Sequence, residues 1–272
     1  MFARSQKKKW ELTLLEKYKL YEASVQDPAG EVETLHEIYS DIRKKKVAKS
    51  FREDFAGSAA LCCAWVKKSS KHVAYGVDLD PLPLEYAATY HLTKLSPGAK
   101  KRIHLIEGNV LTETTPPVDL IAALNFSYFI FRERIQLLEY FKAAHKHLNK
   151  DGVLILDLFG GTDAQKVMEE VVDHDDFKYF WDCISFDPIT HFCHFAIHFK
   201  RKKQKKMKNV FDYHWRLWSL PELRDLLSEA GFRQTIPYWE GDDGKGGGNG
   251  EFKATSTEEN CLSWVAYIAA VK

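Results

Sequence analysis

The residues best suited to chemistry lie in the run Arg52-Glu53-Asp54-Phe55-Ala56-Gly57-Ser58-Ala59. The run joins a strand-like stretch, Ser50–Phe55, to a helical pattern carrying Ala59, Leu61, Cys62, Trp65 and Val66. A strand-to-helix turn of this kind forms the first crevice of a doubly wound sheet. Backbone N–H groups and a small residue let a ligand approach closely there. Asp78 ends the next strand, His72–Asp78, about 20 residues after Gly57. A carboxylate at that place accepts both hydroxyls of a ribose. Turn and acid together point to an adenosine-containing ligand. The alternative for Asp78 is a helix-capping acid at a strand end. The dinucleotide pattern G-x-G-x-x-G is absent, which argues against a nicotinamide or flavin dehydrogenase.

The elements around this crevice follow from periodicity. Trp10, Leu14, Tyr18, Tyr21 and Val25 fall at helical spacing, and Pro28 is expected to stop that helix. Val32, Leu35, Ile38, Tyr39 and Ile42 predict a second amphipathic helix. Strands then alternate with helices: His72–Asp78, a helix opened by Asp80 and Pro81, Arg102–Glu107, Asp119–Asn125, a helix near 135–148 and Val153–Phe159. Such alternation means a mainly parallel sheet covered on both faces. After Gly161 the pattern predicts a helix over Thr162–Val172. Three antiparallel strands are expected next, at Phe177–Phe186, Thr190–Lys200 and Asn209–Trp218. A helix at Pro221–Ala230 and strands near Thr235–Trp239 and Leu262–Val271 complete the chain. Gly241–Gly250 holds six glycines and is expected to be a flexible loop. The expected class is α/β: an N-terminal helical cap over 1–48 and a Rossmann-like, doubly wound sheet domain over 49–272. The inserted antiparallel segment spans 176–218, and the whole is one structural unit.

Composition sets outer limits. The 272 residues carry 39 Lys+Arg against 38 Asp+Glu, a net charge of +1, so no whole-protein field attracts nucleic acid or membrane. The longest apolar run, Leu120–Phe131, is broken by Asn125 and Ser127, too short for a membrane span. Arg4 and Lys7–Lys9 have no apolar stretch behind them, so a secretory signal is not expected. Five cysteines without a CxxC motif, two of them adjacent, predict a cytoplasmic protein without a disulfide framework.

The order of these features resembles the class I S-adenosylmethionine-dependent methyltransferases over residues 50–272. The family's acidic, glycine-rich turn corresponds to Glu53-x-Phe55-x-Gly57-x-Ala59, which keeps only the central glycine. Phe55 takes a positive φ only at a cost, so the turn is expected to differ from the glycine-rich version. The second acidic position corresponds to Asp78. The family's Gly-Asp pair after strand three corresponds to Gly108-Asn109-Val110, where the Asn109 side-chain oxygen still accepts from an adenine amino group. Val118-Asp119-Leu120-Ile121 resembles the fourth strand, and Trp218–Leu223 with Glu229–Phe232 the segment before the final strand pair. Trp10, Tyr21–Gln26, Arg52–Ser58, Asn125–Tyr128 and Asp157–Gly161 are similar to one subgroup of these enzymes.

The resemblance implies a seven-stranded methyltransferase sheet with S-adenosylmethionine bound by Tyr21, Arg52, Glu53, Ala56, Gly57, Ser58, Asp78, Leu79, Gly108, Asn109, Val110 and Asn125. Glu53 is the candidate partner of the methionine end, and Arg52 of its carboxylate; the alternative for Arg52 is a solvated strand-end charge. Asn125-Phe126-Ser127-Tyr128 follows the fourth strand, where methyl group and acceptor meet in this family. Asn125 and Tyr128 are therefore the catalytic candidates, and Tyr128 also a substrate contact; the alternative is a loop whose aromatics pack in the core. Trp181, Trp215, Trp218, Tyr238 and Trp239 lie in or after the insertion. A roof over the crevice would turn some of them toward an acceptor, an amine or a flat ring, with core packing as the alternative. Trp218, Trp239 and an anion-binding Arg216 complete the acceptor set; a solvated strand charge is the alternative for Arg216. No metal is expected: along one strand, alternation puts His194 and His198 on one face and His191 with Cys193 on the other, two ligands a side.

The expected activity is methyl transfer to nitrogen or oxygen of a small-molecule acceptor. Lys200–Lys208 holds seven basic residues in nine, so a second reading has RNA or protein docked by this hairpin. A third is a non-catalytic nucleotide-binding scaffold. A second copy of the chain is a candidate partner; a membrane is not.

Overall fold

The computed structural model describes residues 12–244 and 247–272, so Trp10 and the basic N-terminal run lie outside the described residues. Helix α1, Leu14–Val25, is opened by a reciprocal capping box between Thr13 and Glu16. It ends at Val25, three residues ahead of Pro28, as expected. Proline's fixed φ and missing N–H suit a first helical position, and Pro28 opens α2, Pro28–Ile42, behind the Asp27 cap.

Strands β1 (Ser50–Asp54), β2 (Val73–Asp78), β3 (Ile103–Glu107), β4 (Val118–Ala123) and β5 (Leu148–Gly160) form the parallel part of the main sheet. Helix α3 (Ala60–Lys68) links β1 to β2. The short helices α4 (Pro81–Tyr86) and α5 (Pro97–Lys100) precede β3, and α6 (Arg134–His147) precedes β5. A second sheet follows, of β6 (Glu169–Asp173), β7 (Phe177–Phe186), β8 (Phe192–Arg201) and β9 (Met207–Arg216), antiparallel throughout. The chain returns through α7 (Leu220–Glu229) to β10 (Gln234–Asp242), β11 (Gly248–Ala254) and β12 (Trp264–Val271). The main sheet runs β11-β10-β12-β5-β4-β1-β2-β3.

Three expectations are corrected. The sheet has eight strands rather than seven, because part of the glycine-rich run is ordered as a β10–β11 hairpin. A Cβ at Gly248 would meet the Glu240 carboxyl, the end of a flexible side chain that would have to move aside. The predicted helix over 162–172 is a single 3-10 turn, Thr162–Gln165, followed by β6. There Val171 and Val172 pair with Phe180 and Tyr179, the cross-strand contacts β-branched residues favour. The insertion therefore has four strands and begins before residue 176.

Alternation along the strands splits the core between the two faces. Ile121, Leu154, Leu156 and Ile268 pack with α6 and α7, whereas Phe51, Leu120, Ile155 and Ala269 pack with α2 and α3. Leu20 of α1 joins Ile197 and Phe199 of the second sheet. Helix α1 and strand β9 thereby stand over the carboxyl ends of β1 and β4, the place where ligands bind in open parallel sheets.

Candidate active site

Two chambers open side by side at that edge, with cavity volumes of about 260 and 270 Å³. Together they fall within the roughly 300–1,000 Å³ of small-ligand sites. They share Tyr21, Asn125, Tyr213 and Trp215 as a common wall.

The first chamber is floored by the turn after β1. Phe55, Gly57 and Ala59 all take left-handed conformations, with φ of 59°, 51° and 52°. The turn therefore keeps the geometry expected of a glycine-rich loop although two of the three residues carry a Cβ. Each non-glycine residue there costs about 1–2 kcal/mol. The surroundings hold them in place. Ala56 N–H donates to the Val77 carbonyl at 2.9 Å, and Ala59 N–H to that of Ala56 at 2.7 Å. The Phe55 ring packs against Phe131 and Tyr140. Ala56 and Ser58 line the same floor.

Asp78 stands opposite. Its Oδ2 accepts from Gly57 N–H at 2.7 Å and its Oδ1 from Asp80 N–H at 2.8 Å, which fixes the carboxylate at the rim. Burial raises its pKa against these hydrogen bonds. Leu79 beside it is 70% exposed. Glu53 lies in the floor, its carboxylate accepting from Cys62 N–H at 3.1 Å. Burial pushes its pKa up to about 8, with Glu31 and Asp78 adding repulsion. Glu31 is itself raised to about 7, mainly by burial. The Gln26 side-chain oxygen, on the same chamber, is buried without a hydrogen-bond partner.

Several expected site residues are placed elsewhere. Arg52 is 1% exposed and pairs with Asp54 at 2.6 Å. It also donates to Thr115 Oγ1 and to the carbonyls of Val110 and Glu113. Its donors are committed beneath the crevice, to Asp54 and to the segment that follows β3. Gly108, Asn109 and Val110 form a tight turn beside Asp78, Gly108 N–H donating to the Asp78 carbonyl at 2.8 Å. The Asn109 side-chain oxygen accepts from Leu111 N–H at 3.0 Å, and Val110 is buried; none of the three lines a chamber. Tyr128 is fully buried and donates to the Asp157 carbonyl at 2.8 Å, so it holds the loop from below rather than meeting an acceptor. Trp218 is 2% exposed, its indole N–H bonded to the Phe131 carbonyl. Arg216 lies over the Trp218 ring and pairs with Glu222 at 3.0 Å. Trp239 packs at a tilt against Trp264, ring centroids 4.6 Å apart, and Tyr238 bonds Asp41 at 2.7 Å.

Asn125 lies on the wall between the chambers. What fixes it is Asp157 of β5. The two carboxylate oxygens accept from the N–H groups of Asn125 at 2.7 Å and Phe126 at 2.9 Å. Both residues are left-handed, with φ of 56° and 57°, and the successive N–H groups form a small anion-binding concavity. Burial raises the Asp157 pKa to about 7 against those two bonds.

The second chamber is aromatic. Trp181 stacks on Phe195 at 4.9 Å, Tyr213 meets Trp215 at 4.5 Å, and Phe126 meets Phe159 at 4.7 Å. Its mouth carries Glu170, Lys166 and Asp163, the last two paired with each other. Of the expected aromatic roof, Trp181 and Trp215 therefore face the cavity. In the basic hairpin, Arg201 pairs with Glu16 and Lys206 with Glu169.

No family model matches the sequence. No curated protein sequence matches it significantly. Solved structures do match. An S-adenosylmethionine-dependent methyltransferase from Clostridium acetobutylicum superposes with a TM-score of 0.63 over 92% of this chain and 94% of its own, at 17% identity. CalS10, an amino pentose methyltransferase from Micromonospora echinaspora solved with S-adenosylmethionine bound, gives 0.65 over 96% and 99%, at 14% identity. The sugar N-methyltransferase KedS8 from Streptoalloteichus gives 0.62 over 100% and 99%, at 16% identity. The chain has the class I methyltransferase fold, with an added antiparallel sheet over the crevice.

Proposed function

We propose that this protein is an enzyme that transfers a methyl group from S-adenosylmethionine to a nitrogen or oxygen of a small-molecule acceptor. The carrying observation is the pair of chambers sharing the Asn125 wall, one lined by carboxyl groups and the other by aromatic rings. The first suits a cationic ligand: Glu53 and Asp78 line it, and Arg52 is committed to Asp54. Asp78 would take the ribose hydroxyls, Leu79 would cover an adenine face, and Glu53 with Gln26 would meet the amino end. Bound there, S-adenosylmethionine offers an electrophilic methyl on a sulfonium, which an acceptor lone pair displaces in line, the acceptor then losing its proton.

The aromatic chamber holds and orients the acceptor, excluding water while its ring faces favour an amine or the apolar face of a small ring. Asn125 is placed to accept from an acceptor N–H or O–H, with Asp157 holding its backbone in register. Two of the matching proteins, CalS10 and KedS8, act on amino-sugar or sugar substrates, which favours nitrogen as the methylated atom.

The test is formation of S-adenosylhomocysteine with a panel of small amines, amino sugars and phenols, alongside RNA and protein fractions. Turnover of a small acceptor that is insensitive to salt supports the reading. Turnover only with RNA or protein, with affinity falling steeply as salt rises, would assign the Lys200–Lys208 hairpin a docking role instead. No binding of S-adenosylmethionine at millimolar concentration would leave a scaffold.

A further inference from the structure

The strands that build the aromatic chamber have a second face. Phe195 of β8 and Tyr213 and Trp215 of β9 point inward, so the residues between them, His194, Asp212 and His214, share the outer face. His194 and His214 are direct cross-strand partners, and Asp212 lies opposite Ala196, two residues along. The two imidazoles stack with centroids 4.4 Å apart. His194 Nε2 is 2.7 Å from Asp212 Oδ1, and His214 Nε2 is 3.2 Å from Asp212 Oδ2. Asn209 Nδ2 donates to the same carboxylate at 3.2 Å and orients it.

We propose that His194, Asp212 and His214 bind one divalent transition-metal ion of the zinc class, with water in the remaining position. One donor atom from each of the three lies within 4.8 Å of the others. A tetrahedral ion with bonds of about 2.0–2.1 Å has ligand–ligand edges of about 3.3 Å, so the 2.7 Å contact of His194 must open and both imidazoles converge on one oxygen of Asp212. Two imidazoles and a carboxylate form a known donor set for zinc; nickel and copper share the preference for imidazole. Closing the site needs a rotation of the two rings about χ2, a soft torsion. Each ring must also carry its remaining proton on Nδ1, which frees Nε2. Counting ligands along β8 alone misses this group, because β9 supplies Asp212 and His214.

A second cluster, Glu169, Asp182 and His198, lacks that freedom. His198 Nδ1 accepts from Asn209 N–H at 2.8 Å, so its proton sits on Nε2 and is directed at Asp182. Lys206 already neutralises Glu169. This cluster is an ion-pair network, and it serves as the internal control. A metal on the outer face would tie β8 to β9, the strands that carry the inner aromatic wall.

Isothermal titration of zinc chloride into the chelator-treated full chain tests the site. One zinc per chain is expected, with a raised melting temperature. His214→Ala is expected to weaken binding by about tenfold or more, some 1.4 kcal/mol. The combined His194→Ala, His214→Ala variant should lose both binding and the melting shift. His198→Ala and Cys261→Ser should leave the zinc affinity unchanged; Cys261 is the exposed thiol. Nickel chloride should compete with zinc. Absence of a stoichiometric site, retention in the double variant, or loss on replacing Cys261 would each overturn the assignment. His214 is exposed and His194 half-buried on the outer face of the sheet, so circular dichroism of the double variant should match the parent.

Discussion

Glu53 makes the strongest quantitative demand on the proposed cofactor site. Its carboxyl titrates at about 8 in the unliganded chain because it is buried beside other acids. At pH 7 it is then about 90% protonated. A sulfonium or ammonium approaching to about 4 Å contributes about 4 kcal/mol at an effective dielectric of 20, or about three pKa units. The bound-state pKa falls to about 5, so binding at pH 7 expels about 0.9 proton from Glu53. Isothermal titration of S-adenosylmethionine in buffers of differing ionisation enthalpy measures this number. Subtracting the result for Glu53→Gln removes protons contributed by the ligand and by Asp157. The difference should be about 0.9 at pH 7 and close to zero at pH 9.5, where Glu53 is already ionised. A difference near zero at pH 7, or a net uptake, would show that no cationic group of the ligand reaches Glu53.

The same shift acts on stability, with a definite sign. A carboxyl whose folded pKa lies above its unfolded value of 4.5 destabilises the fold as it is forced to ionise. The unliganded protein should therefore lose stability as pH rises from 4.5 through about 8, at up to about 1.4 kcal/mol per pH unit for one group. Half-buried His36, pushed down to about 4, acts in the opposite sense but only below about 6.5. Between pH 6.5 and 8 the acids dominate, and Glu53→Gln should flatten a melting-temperature profile in that window.

Further outcomes follow from single side chains. Asp78→Ala should weaken S-adenosylmethionine binding by about a hundredfold, two charge-assisted hydrogen bonds being worth about 3 kcal/mol together, while circular dichroism stays unchanged; unaltered affinity would misplace the ribose. Asp157→Asn leaves one of two backbone N–H groups facing a donor, so kcat with a working acceptor should fall about tenfold or more while cofactor affinity moves less than about threefold. Equal losses in both would mean that Asp157 supports the whole crevice rather than the Asn125 wall. Trp181→Ala should raise the acceptor KM with little change in cofactor affinity, and the reverse pattern would remove the aromatic chamber from acceptor binding.

The parallel sheet is legible where a buried strand is a mostly apolar run bounded by turn chemistry, as in Val118–Ala123 and Val153–Phe159. What periodicity could not supply was direction at polar positions. Glu53 and Asp78 were identified from their place at strand ends. Arg52 stands at the same strand end, but its donors go to Asp54, Thr115 and the carbonyls of Val110 and Glu113 rather than to a ligand. The place of Tyr128 after the fourth strand and the aromatic character of Trp218 suggest ligand contacts, yet their polar atoms are used up on the carbonyls of Asp157 and Phe131. Asp157 left the opposite kind of trace, a single acid inside an otherwise apolar strand. Burying a carboxyl without a partner is costly, so such a residue must have donors waiting. Those donors are the N–H groups of a left-handed Asn125-Phe126 pair, which no local propensity announces.

The turn after β1 carries the same logic further. Replacing two glycines of the family pattern by Phe55 and Ala59 argued for a different loop, and the backbone kept the loop and accepted the strain instead. Strain of this size persists where the surroundings over-determine a conformation. Here they do so from three sides: Val77 holds Ala56, Asp78 holds Gly57, and Phe131 and Tyr140 hold the Phe55 ring. Asp78 is thus both the candidate ribose acceptor and a strut of the turn beneath the ligand. Occupying its oxygens couples the rim of the crevice to its floor, which is why the conformation of this loop and the affinity for an adenosine ligand should change together.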